Sequence, residues 1–356
     1  MKITDIKIQI INIPLVTTFK TALRSVDQIE NIIITITTDT DLVGFGGAAP
    51  AAVITGETTA SIRGAIEHIR DSIVGMNLID SENIFQRLNN CIIGNSSAKA
   101  AVDMALYDLL AKALKVPLYQ FLGGMTNTLE TDITVSLDTP EKMVRESKEK
   151  VSAEFNILKI KVGNDPELDI NRLQLIREAI GNEASIRIDA NQGWTAKEAV
   201  YVGKELTRKG VDIELMEQPV HARDFKGLRF VRDNVSMPVY ADESIFTHQD
   251  ALDLVSMIAV DGINIKLMKC GGIYNALKIA SIAETAGIPC MIGSMMESHI
   301  SVAAAAHLAA SRSIIKRYDL DAPLFCSINP AVGGITYQGS RICFSNSPGL
   351  GIESIG

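Results

Sequence analysis

Short apolar stretches alternate with longer amphipathic ones from about residue 130 to residue 325. The short stretches are rich in β-branched residues and read "TDITVSL", "ILKIKVG", "SIRIDAN", "IELMEQP", "PVYADES", "GINIKLM", "PCMIGSM" and "IKRYDLD". Segments between them, such as "DINRLQLIREAI" and "AKEAVYVGKELTRKG", have apolar residues at helical spacing. Seven strand and helix units followed by a closing strand predict an α/β fold, a (β/α)7β barrel of the modified TIM type, rather than an open sheet.

The first 125 residues have a different pattern. "ITDIKIQIINIPL" and "ENIIITITTDTDLVGFGGAAP" predict antiparallel strands, and "SAKAAVDMALYDLLAKAL" predicts a helix that Pro117 limits. Asp103 and Asp108 in this helix are expected to be solvated or capping carboxylates. We therefore predict an α+β domain over residues 1–125, a barrel over residues 126–325, and a C-terminal segment, 326–356, that returns to the first domain.

Charged or polar side chains end the predicted barrel strands. In chain order they are Lys159, Lys161, Asp189, Glu217, Asp242, Lys266, Ser294, Glu297, Asp319 and Asp321. From Lys161 to Lys266 the successive spacings are 28, 28, 25 and 24 residues, each the length of one strand and helix unit. The carboxyl ends of barrel strands meet at one mouth, where catalytic groups lie. Any one of these residues alone is commonly a helix cap or a structural ion pair, but the whole series predicts a site.

The carboxylates on three consecutive strands, Asp189, Glu217 and Asp242, would repel one another unless a cation joined them. Oxygen ligands without histidine or cysteine favour Mg²⁺ over zinc. The five histidines show no metal-ligand spacing and are expected to be structural.

Two lysines share one face of the strand "ILKIKVG". Side chains alternate along a strand, so Lys159 and Lys161 point together while Ile160 and Val162 point the other way. Lys266 comes four strands later, across the barrel mouth from Lys161. A lysine acts as a base only when part of it is neutral, and both a neighbouring cation and desolvation lower its pKa. We therefore expect Lys159 to tune Lys161.

The composition and charge of the chain limit the kinds of binding partner and cellular compartment to be expected. The formal net charge is −8, which argues against nucleic acid as a general partner. No uncharged apolar run reaches the roughly 18 residues of a membrane span, and the N-terminus, with Asp5 and Lys7, predicts a strand rather than a signal peptide. Five cysteines without CxxC spacing are expected to be reduced thiols in a cytoplasmic protein.

These residues together resemble the enolase superfamily, in its muconate-lactonising subgroup. The signature is the KxK of Lys159 and Lys161, followed by Asp189, Glu217, Asp242 and Lys266. Within the subgroup the chain is most similar to dipeptide epimerases, especially L-Ala-D/L-Glu epimerases. The supporting stretches are "FKTALRSV", "GNSSAKAAVDMALYD", "DITVS", "DANQGW", "GSMMES" and "DLDAPL".

The resemblance implies that the α+β domain caps the barrel and that each subunit binds one Mg²⁺ through Asp189, Glu217 and Asp242. It implies that a dipeptide is epimerised at its C-terminal residue by a 1,1-proton transfer between Lys161 and Lys266, through an enediolate that Lys159 helps to stabilise. A homo-oligomer and a setting in murein-peptide turnover are further expectations.

The resemblance also implies substrate-binding residues. Asp319 and Asp321 would bind the free ammonium end of the dipeptide, and Arg24 would bind a glutamate side chain. Thr134, Asn191 and Ser294 are further candidates for contacts with the substrate.

Three alternatives remain open at this stage. An N-succinylamino acid racemase or an o-succinylbenzoate synthase shares the metal ligands and the lysines, although its substrate brings no cation to Asp319 and Asp321. A Schiff-base aldolase barrel would need one essential lysine and no metal site. A non-catalytic binding barrel would not need lysines on both sides of the mouth.

Overall fold

An antiparallel sheet of three strands opens the chain in the computed structural model, which describes residues 1–21 and 25–356. Its strands, in the order β1-β2-β3, are β1 (Ile3–Lys20), β2 (Ser25–Thr38) and β3 (Val43–Ala48). Pro14 lies on β1, an edge strand, where a residue without an N–H is tolerated. The tight turn predicted at Asp39 to Asp41 joins β2 to β3.

Four helices follow the sheet, and the third packs directly on β3. They are α1 (Thr59–Ile73), α2 (Ser81–Asn90), α3 (Ser96–Ala113) and α4 (Leu118–Phe121). A Cβ atom built on Gly46 would lie 1.9 Å from the carbonyl oxygen of Ala101 in α3. Gly47, on the opposite face of β3, lies beside Ser301 of the barrel. The sheet is thus enclosed between α3 and the barrel, and glycine is needed where α3 approaches.

The two aspartates of α3 are buried rather than solvated. The carboxylate of Asp103 accepts the N–H groups of Ile273, at 2.5 Å, and Tyr274, at 3.2 Å, which open a barrel helix. Asp108 accepts the N–H of Leu350 at 2.7 Å and contacts Lys112 Nζ at 2.8 Å. Burial raises the pKa of both carboxyl groups. The capping alternative is therefore correct for Asp103, and both residues connect distant parts of the chain.

We expect Asp103→Ala to lower the free energy of unfolding by about 1–3 kcal/mol, because it leaves the buried N–H of Ile273 and the partly buried N–H of Tyr274 without an acceptor. Urea unfolding followed by circular dichroism measures the change. The matched control is Asp80→Ala: Asp80 also precedes a helix, but it is exposed and its side chain makes no cap hydrogen bond. Equal stability of the two variants would show that the Asp103 contacts are unimportant for folding.

Eight parallel strands form the second part of the fold, and seven helical connections join them; the connection from β10 to β11 contains two helices. After the short strand β4 (Thr128–Glu130), the barrel elements are β5 (Ile133–Val135), α5 (Pro140–Ser152), β6 (Ile157–Lys161), α6 (Pro166–Ile180), β7 (Ser185–Asp189), α7 (Ala196–Arg208), β8 (Leu215–Glu217), α8 (Phe225–Asn234), β9 (Val239–Ala241), α9 (His248–Ser256), β10 (Gly262–Lys266), α10 (Leu267–Cys270), α11 (Ile273–Ala286), β11 (Cys290–Gly293), α12 (His299–Ser311) and β12 (Ile315–Asp319). The strands pair in sequence order from β5 to β12. Asp132 N–H donates to the Tyr318 carbonyl at 3.2 Å, so the barrel is nearly closed. The predicted (β/α)7β fold is confirmed.

The barrel interior is charged below its mouth. Arg187 of β7 lies one inward position beneath Asp189 and binds Asp132 at 2.8 Å and Glu214 at 2.9 Å. A small apolar cluster of Leu215, Tyr240 and Met291 is separate from the main hydrophobic core.

The C-terminal residues after α13 (Ala322–Phe325) form four short strands. These are β13 (Ala331–Gly333), β14 (Ile335–Gln338), β15 (Arg341–Phe344) and β16 (Ile352–Ile355). β15 pairs with β4, and Gly349 bridges to Pro117 beside α4. The domain boundaries at residues 125 and 325, and the assignment of residues 326–356 to the first domain, stay predictions.

Two further observations concern the environment of the chain. Across residues 1–21 and 25–356, no helix combines the length and apolar character needed to cross a lipid bilayer. All five cysteines lie within the described residues, and none forms a disulfide.

Candidate active site

Three carboxylates meet at the carboxyl ends of β7, β8 and β9. Asp189 and Glu217 end their strands as direct neighbours in the sheet register, and Asp242 follows β9. Each is at most 2% exposed, and one oxygen from each lies within 4.8 Å of the others. The parallel register of adjacent strands therefore brings together the residues that the sequence spacing selected.

The loop after β8 fixes the third carboxylate. Gln218 has a positive φ of 34°, unusual for a residue with a side chain, and its buried amide oxygen accepts the N–H of Asp242 at 2.8 Å and that of Ser244 at 3.1 Å. Its amide nitrogen donates to the Val220 carbonyl at 2.9 Å. Gln218 thus joins the loop that follows Glu217 to the loop that carries Asp242.

The three carboxyl groups differ in pKa. Burial and the nearby Asp189 raise the pKa of Glu217 to about 7. Burial also acts on Asp189, but Lys161 and Lys159 outweigh it and lower the pKa of Asp189 to about 2. The pKa of Asp242 is lowered too, because Lys266 and Lys269 outweigh its burial.

This donor set fits a hard divalent cation. The ligand atoms are all carboxylate oxygens, which suit Mg²⁺. Glu217 Oε2 is fully buried and lies 2.7 Å from Lys159 Nζ without forming a hydrogen bond of regular geometry, so this oxygen lies where positive charge is favoured.

Lysines flank the carboxylates on both sides. Lys161 Nζ, on β6, lies 2.6 Å from Asp189 Oδ2, and Lys266 Nζ, on β10, lies 2.8 Å from Asp242 Oδ2. Both line one cavity of about 60 Å³. Burial lowers the pKa of Lys266, but Asp242, Glu217 and Asp319 together outweigh it, so the pKa is raised.

Lys159 lies deeper and touches three carboxylates. Its Nζ is 2.7 Å from Glu217 Oε2, 3.2 Å from Asp189 Oδ2 and 2.7 Å from Asp319 Oδ2. Burial lowers the pKa of Lys159, but these carboxylates together raise it well above its usual value. Lys159 is therefore held as a cation between the carboxylate set and the end of β12.

A second group of carboxylates lies where the start of β5 adjoins the end of β12. Asp132, Asp319 and Asp321 each bring one oxygen within 4.8 Å of the others. Asp321 Oδ2 accepts the N–H of Thr134 at 2.6 Å, and burial together with Asp319 raises the pKa of Asp321 to about 6. Lys159 already gives Asp319 a cationic partner, which the strand-end argument for Asp319 and Asp321 did not anticipate.

The remaining predicted residues surround the same cavity, with one exception. Thr134, Asn191 and Ser294 line it. Thr134 holds Asp321, and Asn191, at φ 43°, donates its side-chain N–H to Glu243 at 3.1 Å. Arg24 lies outside the described residues. The roles of all these residues stay predictions.

Several buried polar residues of the site were not predicted. They are Asp132, Gln218, Glu243, Asn264 and Lys269. Asn264 was within reach of the sequence argument, because the two-residue alternation places it on the same strand face as Lys266. Lys269 was not, since it lies on the short helix α10, where that alternation ends.

The opposite wall of the cavity comes from the N-terminal domain. Phe19, Thr21, Val53 and Ile54 face the strand-end residues, and Met295 and Met296 of the loop after β11 complete the wall. Phe19 packs edge-to-face on Phe325 with ring centroids 5.8 Å apart. A substrate on the carboxylates would thus be covered by mainly apolar side chains.

Comparison with known proteins agrees with this geometry. The profile described as the mandelate racemase / muconate lactonizing enzyme N-terminal domain matches residues 4–123, and the enolase C-terminal domain-like profile matches residues 142–354. The chain is 52% identical to an L-Ala-D/L-Glu epimerase of Clostridium acetobutylicum over 356 residues, covering 100% of this chain and 99% of that protein.

Two solved structures are also closely similar. One is a substrate-liganded complex of the L-Ala-D/L-Glu epimerase of Bacillus subtilis, with 47% identity, a TM-score of 0.99 and full coverage of both chains. The other is a dipeptide epimerase of Enterococcus faecalis complexed with Mg and L-Leu-L-Tyr, with 44% identity, a TM-score of 0.97 and coverage of 99% of this chain and 100% of that one. The resemblance to dipeptide epimerases is confirmed, and the chain belongs to the mandelate racemase and muconate lactonizing enzyme family of the enolase superfamily.

Proposed function

We propose that the protein is a Mg²⁺-dependent dipeptide epimerase that inverts the α-carbon of the C-terminal residue, with L-Ala-D/L-Glu as the representative substrate. The observation that carries the proposal is a three-carboxylate set with Lys161 and Lys266 on opposite sides. Both lysines line one cavity together with Asp242, Asp319 and Asp321. The close likeness to L-Ala-D/L-Glu epimerases supports the choice of substrate.

Asp189, Glu217 and Asp242 would hold the Mg²⁺ ion. When bound, Mg²⁺ supplies positive charge that stabilises the negative charge developing on the substrate carboxylate. Lys159 adds a buried ammonium group beside the same carboxylates, where low solvent access strengthens its electrostatic effect.

Lys161 and Lys266 exchange the protons. One lysine, neutral, takes the α-proton, and the electron pair of the broken C–H bond passes into the carboxylate unit to form the enediolate. The other lysine, cationic, then donates a proton to the opposite face of the same carbon. The configuration inverts, and the reverse reaction exchanges the two roles.

Asp319 and Asp321 would bind the substrate ammonium group. The N–H of Thr134 holds Asp321 Oδ2, and burial of both carboxylates in the cavity favours a cationic partner. A charge-assisted contact of this kind contributes about 1.5–3 kcal/mol, roughly a ten- to hundredfold effect on binding.

Acetylation of L-Ala-L-Glu at its amine should therefore lower kcat/KM by about ten- to hundredfold. Asp321→Asn should weaken turnover of the free dipeptide and narrow the gap to the acetylated one, because Thr134 retains the amide oxygen and the new NH₂ group faces the ammonium. Steady-state kinetics with both substrates tests this. Equal turnover of the two by the natural enzyme would favour the N-succinylamino acid racemase alternative.

Arg24 is proposed to recognise an acidic second residue. We expect Arg24→Met to raise KM for L-Ala-L-Glu much more than for a dipeptide with a neutral second residue, since a guanidinium pairs with a carboxylate through two hydrogen bonds. Parallel kinetics on the two dipeptides measure the difference. An equal increase in both KM values would assign Arg24 a structural role.

The reaction itself is tested with a dipeptide library in D₂O, read by mass for deuterium at the C-terminal α-carbon. Deuterium uptake that requires Mg²⁺ is the expected result. Activity that survives EDTA, together with trapping of a substrate by borohydride, would identify a Schiff-base aldolase instead. If no dipeptide took up deuterium, the alternative of a non-catalytic binding barrel would be supported.

The cellular setting and the assembly are also proposals. Dipeptides of alanine and glutamate derive from cell-wall peptide, so we propose a role in murein-peptide turnover in the cytoplasm, as a possible homo-oligomer. The five unpaired cysteines are compatible with a reducing compartment. The N-terminal domain would act as the cap over the barrel.

A further inference from the structure

Each carboxylate of the proposed metal set has one oxygen already bound by a protein donor. The three bonds run from the Asn191 backbone N–H to Asp189 Oδ1 at 2.9 Å, from Asn264 Nδ2 to Glu217 Oε1 at 2.7 Å, and from Lys269 Nζ to Asp242 Oδ1 at 2.5 Å. The donors come from three different elements, but the pattern at the carboxylates is the same.

The second oxygen of each carboxylate lies on the side of the proposed catalytic lysines. Asp189 Oδ2 contacts Lys161 at 2.6 Å, Glu217 Oε2 contacts Lys159 at 2.7 Å, and Asp242 Oδ2 contacts Lys266 at 2.8 Å. One oxygen per carboxylate is therefore held away from the site interior, and one remains directed towards it.

We propose that Asn264 and Lys269 determine cation selectivity by restricting Glu217 and Asp242 to one ligand oxygen each. Mg²⁺ requires near-octahedral geometry and binds few carboxylates, whereas Ca²⁺ takes six to eight oxygens and readily accepts both oxygens of one carboxylate. Restriction to single oxygens thus favours Mg²⁺ over Ca²⁺. The inference rests on the proposed metal site, and it concerns two residues to which that function assigns no role.

Lys269 is built to prevent rotation of the Asp242 carboxylate. The residue is 2% exposed, and its ammonium group contacts three acceptors: Asp242 Oδ1, the Asp242 carbonyl, and the Asn264 carbonyl at 3.1 Å. All three donors of the ammonium are therefore used. Gln218 holds the N–H of the same aspartate, so Asp242 is fixed at its backbone and at one oxygen.

Asn264 contributes to the site rather than to the fold. Its Nδ2 donates to Glu217, but its Oδ1 is buried and has no hydrogen-bond partner among the described residues. A buried carbonyl without a partner lowers stability. Leucine has the same branched shape but a larger volume; it would remove this unpaired oxygen and leave Glu217 Oε1 without its donor. Because these two effects oppose each other, Asn264→Leu is expected to change the melting temperature little, a result that distinguishes positioning of Glu217 from structural support.

The test measures the dissociation constants of Mg²⁺ and Ca²⁺ by isothermal titration calorimetry for the natural protein, Lys269→Met and Asn264→Leu. Loss of the Lys269 charge changes the attraction of both divalent cations alike, so the ratio of the two dissociation constants isolates geometry from charge. The natural protein should bind Mg²⁺ more tightly. The preference should fall about tenfold or more in each variant, within the range that outer partners of metal ligands have on affinity.

The matched control is Lys112→Met. Lys112 Nζ also binds one buried carboxylate, Asp108 at 2.8 Å, and two carbonyls, those of Val43 at 2.9 Å and Ile352 at 3.3 Å, far along the chain from the metal set. Lys112→Met should lower the melting temperature without changing the preference for Mg²⁺ over Ca²⁺. An unchanged preference in both site variants would overturn the selectivity proposal. A natural protein that binds neither cation would overturn the metal site itself, and with it the proposed function.

Discussion

Lys161→Ala is expected to retain α-proton exchange with one epimer of the dipeptide and to lose it with the other. Lys161 and Lys266 stand on strands four places apart, each against a different carboxylate, so each reaches one face of a substrate held between them. An epimer whose α-proton faces Lys266 can still lose it to that lysine. Epimerisation should fall by about 10²- to 10⁴-fold, the usual contribution of one acid or base.

Lys266→Ala should show the reverse pattern, with exchange retained by the epimer that the first variant loses. The measurement is deuterium uptake from D₂O, recorded separately for L-Ala-L-Glu and L-Ala-D-Glu. Equal loss with both epimers in both variants would remove the distinctive support for two bases. Full epimerisation by either variant would exclude the mechanism.

Lys159→Met provides the matched control, because Lys159 shares the strand face of Lys161 but touches three carboxylates. As an electrostatic group it serves both directions of the reaction. Its loss should therefore slow exchange with both epimers by similar factors. A preference for one epimer would show that Lys159 itself acts as a base.

The barrel could be predicted from the sequence because its strands are short, apolar and evenly spaced. Most of them end in a polar residue or are followed directly by one, and the geometry of parallel strands guarantees that these ends meet. The two-residue alternation placed Lys159 with Lys161. Contacts between distant segments could not be predicted in this way. The burial of Asp103 against the start of α11 depends on how the two parts of the chain pack, which no local pattern contains.

The same limit applies inside the site. The sequence argument expected Lys159 to act on Lys161, two residues away, yet the closest partners of Lys159 are carboxylates on β7, β8 and β12. Lys269 was missed because the chain turns into α10 directly after Lys266, so its side chain returns to Asp242 from a helix. Strand-end patterns identify residues that face the mouth, but not those that hold them in place.

Glu217→Gln is expected to abolish Mg²⁺-dependent exchange without unfolding the protein. The substitution replaces a fully buried carboxyl group by a neutral one of the same shape, which burial favours. Mg²⁺ affinity should fall by more than the loss of one negative charge alone would cause. Asn264 Nδ2 donates to Glu217 Oε1 and Lys159 Nζ contacts Oε2, so the single amide oxygen of glutamine can face only one of these two donors. We expect it to face Asn264, because Lys159 keeps Asp189 and Asp319 as partners, and the NH₂ group then lies towards Asp189 and Lys159. A hydrogen-bond donor would then occupy the position of a metal ligand.

We expect Mg²⁺ affinity of Glu217→Gln to fall on the order of 100-fold or more, since even partners outside the ligand set change affinity 10- to 100-fold. Calorimetry measures the affinity, and urea unfolding measures the stability. Full activity in the presence of EDTA would rule out the site.

A second substitution tests the orientation argument directly. Adding Asn264→Asp to Glu217→Gln replaces the donor by an acceptor, so the amide is expected to turn and direct its oxygen to the other two carboxylates. The double variant also restores the net charge of the set. Mg²⁺ affinity and α-proton exchange should therefore recover in part, although Asn264→Asp alone should weaken binding by placing two carboxylates together. If the double variant bound Mg²⁺ no better than Glu217→Gln, the bond from Asn264 would not control which atom residue 217 presents.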